Sequence, residues 1–207
     1  MEIFKTPNKA GEPMNFKMET KIDIRALDEK LEQKLIDMVG DEYVSLDHEL
    51  AQEIAVENLK TQAADDYFDG VIILNINGKP FHNSWFHTTA LIMTWTGLIN
   101  FKDNEESGES SIILLDEPED LYILFEEDGY RFKTYNREYE IADDGFTVTD
   151  IKRMEAISDL IPKDIFETEI ARACEEFLLF CEMKKLPVNQ EELAYLRESW
   201  EKFAGKK

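Results

Sequence analysis

A chain of 207 residues with 43% hydrophobic and 11% aromatic content is long enough to bury one sizeable core and too apolar to be a disordered acidic chain. Its 45 acidic against 23 basic side chains leave a net charge of −22, which argues against direct nucleic-acid binding and against docking on an anionic membrane, since both need basic groups to meet phosphate. The same charge favours a basic partner.

Residues 1–13 show little pattern and read as a loosely held terminus. Met14, Phe16, Met18, Thr20, Ile22 and Ile24 then alternate with polar residues, the period of a half-buried strand. The period changes at Leu27, Leu31, Leu35 and Met38, which recur at helical spacing before Gly40 as a C-cap. A second helix is expected from Ser45 as N-cap, with Leu46, Leu50, Ile54, Ala55 and Leu59 on one face, so that the two helices form a hairpin.

From residue 69 to residue 149 the chain reads as an antiparallel sheet with three two-residue turns, Asn77 and Gly78, Asp128 and Gly129, and Asp144 and Gly145. Each pair tolerates the positive φ of a type I′ turn. A two-residue loop sets the register. It places Leu74 opposite Phe81 and Ile73 opposite His82 at the first turn. At the second it places Phe125 opposite Phe132, Tyr122 opposite Tyr135 and Glu126 opposite Arg131, and at the third Ile141 opposite Val148. Pro80 cannot donate to a ladder, so its strand lies at an edge or ends quickly. Residues 71–76 and 90–101 are apolar on both faces and predict covered central strands. Residues 103–109 predict an exposed acidic loop, and residues 110–115 and 121–125 resume strand character.

Beyond Thr149 the spacing of Ile151, Met154, Ile157, Leu160 and Ile161 favours a short helix. Pro162 then suits a first helical turn, and Phe166, Ile170, Ala173, Phe177 and Phe180 form the stripe of a long helix that covers the sheet. Cys174 and Cys181 fall on this helix about 10 Å apart at ~1.5 Å per residue, too far to bridge; they read as buried thiols of a reducing compartment. Pro187 ends the helix. A last helix opens at Asn189 with Glu192 as a capping box, Val188 is placed to staple against Leu193, and Gly205 closes it.

The predicted fold class is therefore α+β: a mostly antiparallel sheet of six to eight strands built from hairpins, packed against C-terminal helices, with an N-terminal strand and helical hairpin. Residues 1–66 form the N-terminal unit, either as a separate segment or as part of the domain at 67–207.

Few motifs carry chemistry. Residues 112–118, IILLDEP, resemble the Walker B strand of ABC-type ATPases, but Gly78 and Lys79 are followed by Pro80 and no phosphate loop ends in Gly-Lys-Ser/Thr. The segment reads as an apolar strand leaving into an acidic turn. His48 lacks the second histidine of a zinc-protease helix, whose place is taken by Gln52, and His82 and His87 are not at a recognised ligand spacing. No nucleophile elbow is present, and no cofactor or metal is expected.

What stands out is the distribution of acid. Asp103, Glu105, Glu106, Glu109, Asp116, Glu117, Glu119, Asp120, Glu126, Glu127 and Asp128 follow one another without an intervening Lys or Arg. They fall at strand ends and loops and are expected to converge on one rim, with Trp85, Trp95, Tyr122 and Tyr130 as aromatic anchors. The leading expectation is a non-enzymatic cytoplasmic binding protein that neutralises a basic protein, a toxin or a nucleic-acid-binding enzyme, in the manner of immunity proteins and acidic inhibitors. A nucleic-acid mimic and a metal-dependent hydrolase using carboxylates with His82 or His87 are the alternatives. No membrane span is expected, because no apolar run reaches the ~20 residues needed.

Overall fold

The computed structural model describes residues 14–25, 27, 29–61, 67–81, 86–115, 119–141 and 148–206, with side chains described except at 29, 61, 119, 136–141 and 148–154. It is an α+β architecture of two antiparallel five-stranded sheets and five α-helices among these residues.

The alternation read near the N-terminus forms β1 (Phe16–Asp23), whose Phe16, Met18, Thr20 and Ile22 are buried while Lys17 and Glu19 face solvent. On one side β1 pairs with the central strand β3 (Gly70–Ile76) from Phe16 opposite Ile76 to Ile22 opposite Gly70. On the other it pairs with the short β2 (Tyr43–Ser45). The helix α1 (Glu29–Val39) ends as expected at Gly40, whose φ is 78° and whose N–H donates to the Ile36 carbonyl. The helical hairpin is not formed as predicted. Ser45 is the last residue of β2 rather than an N-cap, and α2 (Ala51–Thr61) starts six residues later. Tyr43 and Val44 gain more from completing the edge of β1, where both are buried, than from extending a helix.

Asn77 and Gly78 form the expected turn, with φ of 54° and 75°. The register set by this turn holds in the pairs Ile76 with Lys79 and Asn75 with Pro80, but β4 (Lys79–Pro80) stops there, so the expected pair Leu74 and Phe81 is not part of the ladder. The strand β5 (Phe86–Thr88) pairs on the same side of β3 nearer its start. His82 lies outside the described residues, so its pairing with Ile73 does too.

Residues 90–101 are not a strand. Leu91–Ile99 form helix α3, and Phe101–Ser107 continue as a 3-10 helix. An apolar run does not distinguish a buried strand from a buried helix; here six of the nine positions of α3 are buried, including Trp95, so both periods fitted. The predicted acidic loop at residues 103–109 is mostly this 3-10 helix, and it is exposed.

The second sheet contains β6 (Glu109–Ile112), β7 (Glu119–Glu126), β8 (Gly129–Ile141), β9 (Val148–Ile157) and β10 (Ile161–Pro162), in the order β10-β8-β7-β6 with β9 also on β8. Two expectations fail in it. The β7–β8 register is displaced by two residues, with Phe125 opposite Tyr130 and Tyr122 opposite Lys133, because Glu127 and Asp128 are the loop and Gly129 is already in the strand. Neither Asp128 nor Gly129 takes a positive φ. The glycine is required instead by β10, since a Cβ there would collide with the Ile161 carbonyl. A two-residue displacement keeps every side chain on its face, so the expected partners survive as diagonals: Tyr122 and Tyr135 rings lie 5.8 Å apart, and Glu126 binds Arg131 at 2.7 Å. The second failure is the short helix after Thr149, which is strand β9. Its ladder with β8 includes the predicted pair Ile141 and Val148, while Asp144 and Gly145 lie outside the described residues.

Two helices tie the sheets together. Helix α4 (Lys163–Met183) packs on β1 of the first sheet and on β8 and β10 of the second. Its Phe166 ring sits 5.6 Å from Phe16, 4.7 Å from Tyr130 and 5.2 Å from Phe132. Helix α5 (Gln190–Phe203) is capped by Asn189, whose Oδ1 accepts from the N–H groups of Glu191 and Glu192, and it packs along α3. One core cluster runs from Phe16 to Trp200.

Candidate acidic interaction surface

Strand pairing draws part of the acidic stretch together. Phe101, fully buried, anchors the 3-10 helix against Phe125, Tyr130, Phe166 and Phe203. Gly108, with φ of 80°, closes that helix, and its carbonyl accepts from the Phe125 N–H at 3.1 Å. The 3-10 helix therefore lies beside the end of β7. Because Glu109 pairs with Leu124, the start of β6 is at that same end, next to the turn at Glu127 and Asp128. Asp103, Glu105, Glu106, Glu109, Glu126, Glu127 and Asp128 thus share one end of the second sheet.

The remaining predicted residues lie elsewhere. Asp120 is at the opposite end of β7, six residues from Glu126 or about 20 Å at ~3.3 Å per residue. Glu119 is at that far end too, with its side chain outside the described set, and Asp116, Glu117 and Trp85 lie outside it altogether. Tyr122 is half-buried in mid-strand, with the Lys133 ammonium 4.8 Å from its ring. Tyr130 is 3% exposed and belongs to the core; its hydroxyl donates to Glu167 at 2.8 Å, and burial first, then that carboxylate, push its pKa up. Trp95 is fully buried, and its indole N–H donates to Thr20 Oγ1 at 3.1 Å.

Some of the gathered charge is compensated. Lys133 binds Glu109 at 2.6 Å, Arg131 binds Glu126, and Lys202 lies 4.0 Å from Asp103. Glu105, Glu106, Glu127 and Asp128 are exposed, and among the described residues they form no ion pair. Carboxylates left in water at one end attract cations from solution, and the charge of the whole chain reinforces that field.

Other groups meet only in the folded chain. Across the first sheet, Tyr43 Oη lies 3.0 Å from His87 Nδ1, and the Arg25 guanidinium contacts both Tyr43 Oη and, at 3.2 Å, the same nitrogen. Burial, then the Arg25 charge, lower the His87 pKa. On α4, Glu169 accepts the Met18 N–H at 2.7 Å while Arg172 donates to the Met18 carbonyl at 2.8 Å and to Glu169. That pair satisfies the edge of β1 where β2 does not reach. The contributing residues are 62 and 154 positions apart at the extremes, and no local pattern announces them. Cys174 and Cys181 are buried on α4 as free thiols. His48 sits in the turn before α2, its Nδ1 accepting from the Leu50 N–H at 3.1 Å. Among the described residues no group of three or more His, Cys, Asp or Glu is placed to hold a metal ion, and no helix is long and apolar enough to cross a membrane.

Comparison with protein-family models, with curated proteins and with solved structures gives no match to this chain.

Proposed function

We propose that this protein is an acidic binding protein that captures and neutralises a basic protein target, as immunity proteins and other acidic inhibitors do, and that it docks through the end formed by the 3-10 helix and the β7–β8 turn. The observation that carries this reading is the gathering of seven carboxylates there, four of them outside any ion pair among the described residues, on a chain of net charge −22. Such a surface raises the encounter rate with a cationic partner and makes binding fall steeply with salt. Its acids stay in water, where they attract and orient, rather than in a dry cleft that tunes an acid or base.

The test is capture from the native host at about 50 mM and about 500 mM salt, on either side of the physiological ionic strength of ~0.15 M. It compares the natural chain with a variant carrying Glu105→Lys, Glu106→Lys, Glu127→Lys and Asp128→Lys. A basic protein held at low salt, released at high salt and lost by the variant is expected. Recovery of no basic protein, or equal recovery by the variant, would refute the reading.

A further inference from the structure

We infer that the seam between α3 and α5 is a docking groove for a basic amphipathic helix of the partner, which seats an apolar side chain among Ile92, Met93, Thr96 and Tyr195. This rests on the reading above that the partner is basic. Helix α3 buries Leu91, Ile92, Trp95 and Leu98 against the core, yet Met93 points outward and is 38% exposed. Across the seam Tyr195 of α5 is 58% exposed. Single exposed apolar residues are ordinary, but these two flank one concavity of about 320 Å³. That is at the small end of ligand pockets, which span ~300–1,000 Å³, and it is open to solvent, so it suits an anchoring side chain rather than a whole small molecule. Tyr and Met are also favoured at the centres of interfaces.

Charge selects the occupant. The charged residues lining the groove are both carboxylates, Glu191 and Glu192, so an apolar anchor flanked by Lys or Arg is complementary and one flanked by acids is repelled. The seam also leads to the acidic end. Helix α3 passes through Asn100 into the 3-10 helix, and α5 follows it, with Asn100 donating to Ser199 at 3.2 Å and Lys202 approaching Asp103. From Met93 to Asp103 is ten residues, roughly 15–20 Å at ~1.5–2.0 Å per residue. A partner helix of three to four turns spans that length, its anchor in the groove and its cations at the acidic end. Charge then sets the rate of encounter, and the groove sets which basic protein is kept.

The experiment uses the full chain, ¹⁵N-labelled, and two synthetic peptides of about 14 residues, long enough to span the site. One carries Leu at helical spacing with Lys elsewhere; the other has Ala in place of Leu and the same charge. The Leu/Lys peptide is expected to shift the amides of Met93, Thr96 and Tyr195, and Met93→Ser with Tyr195→Ala to weaken it ~tenfold or more while leaving the Ala/Lys peptide unaffected. If the Ala/Lys peptide binds the acidic end and the Leu/Lys peptide shifts nothing in the groove, or the double variant binds the Leu/Lys peptide as tightly as the natural chain does, this inference fails and the acidic-surface reading stands. If neither peptide binds, both fail. If the groove amides shift on concentrating the chain alone, a second copy is the occupant and the inference is overturned.

Discussion

Phe166 is the residue whose removal most directly tests how the two sheets are joined. It is fully buried at the start of α4, and its ring lies 5.6 Å from Phe16 of the first sheet, 4.7 and 5.2 Å from Tyr130 and Phe132 of the second, and 5.4 Å from Phe101 beneath the acidic end. Phe166→Ala loses the transfer energy of the ring and leaves a cavity bounded by rings that belong to different elements and cannot all collapse into it. Such substitutions cost about 3–5 kcal/mol. Each ring pair contributes roughly 0.5–1.5 kcal/mol beyond burial, not additively, so a loss of about 4 kcal/mol is expected. At ~2–4 °C per kcal/mol for a chain of this size, Tm falls by about 8–16 °C. Phe166→Leu keeps most of the volume and should cost about 1–2 kcal/mol. The assay is urea denaturation followed by tryptophan fluorescence and far-UV circular dichroism, with both midpoints moving together and the slope unchanged. A loss under about 1 kcal/mol for Phe166→Ala would refute the packing described, because a fully buried phenyl ring cannot be removed so cheaply.

The His87 cluster makes stability depend on pH. Burial and Arg25 hold its folded pKa below the ordinary ~6.5 of the unfolded chain, so the unfolded state takes up the proton first, and stability falls as pH drops from ~6.5 toward the folded value. His87→Gln should flatten the change in urea midpoint over that range, and an unaltered slope would exclude the cluster as its source. Burial pushes the Cys181 thiol up to about 12 and the Cys174 thiol in the same direction. Neither should react with a thiol reagent near pH ~8 in the folded chain, and both should react in denaturant; rapid native labelling would show that α4 opens. Gly129→Ala should cost about 2–3 kcal/mol by driving β10 off β8, since its Cβ meets the Ile161 backbone. Gly78→Ala, with open space around the Cβ and a φ of 75°, should cost about 1 kcal/mol from backbone strain alone; equal losses measured by thermal melts would contradict the two different roles.

Local chemistry alone determined a good part of this molecule. The period of two in β1, the Gly40 and Gly205 stops, the turn at Asn77 and Gly78, the Asn189 cap and the apolar stripe of α4 each act within a few residues and were legible from the chain. The acid-only stretch was equally visible as composition. Tertiary structure decided the rest, because the competing local states were close in energy and packing chose between them. Residues 91–99 satisfy a strand as well as a helix until α5 and β6 close on them. Residues 148–157 carry a helical spacing that their ladder with β8 overrides. Gly129 reads as a turn residue until β10 is laid against it. The acidic stretch divides for the same reason: β7 is long, so a continuous run of charge in sequence is carried to two ends of one strand, and only the pairing of β6 with β7 determines which carboxylates meet.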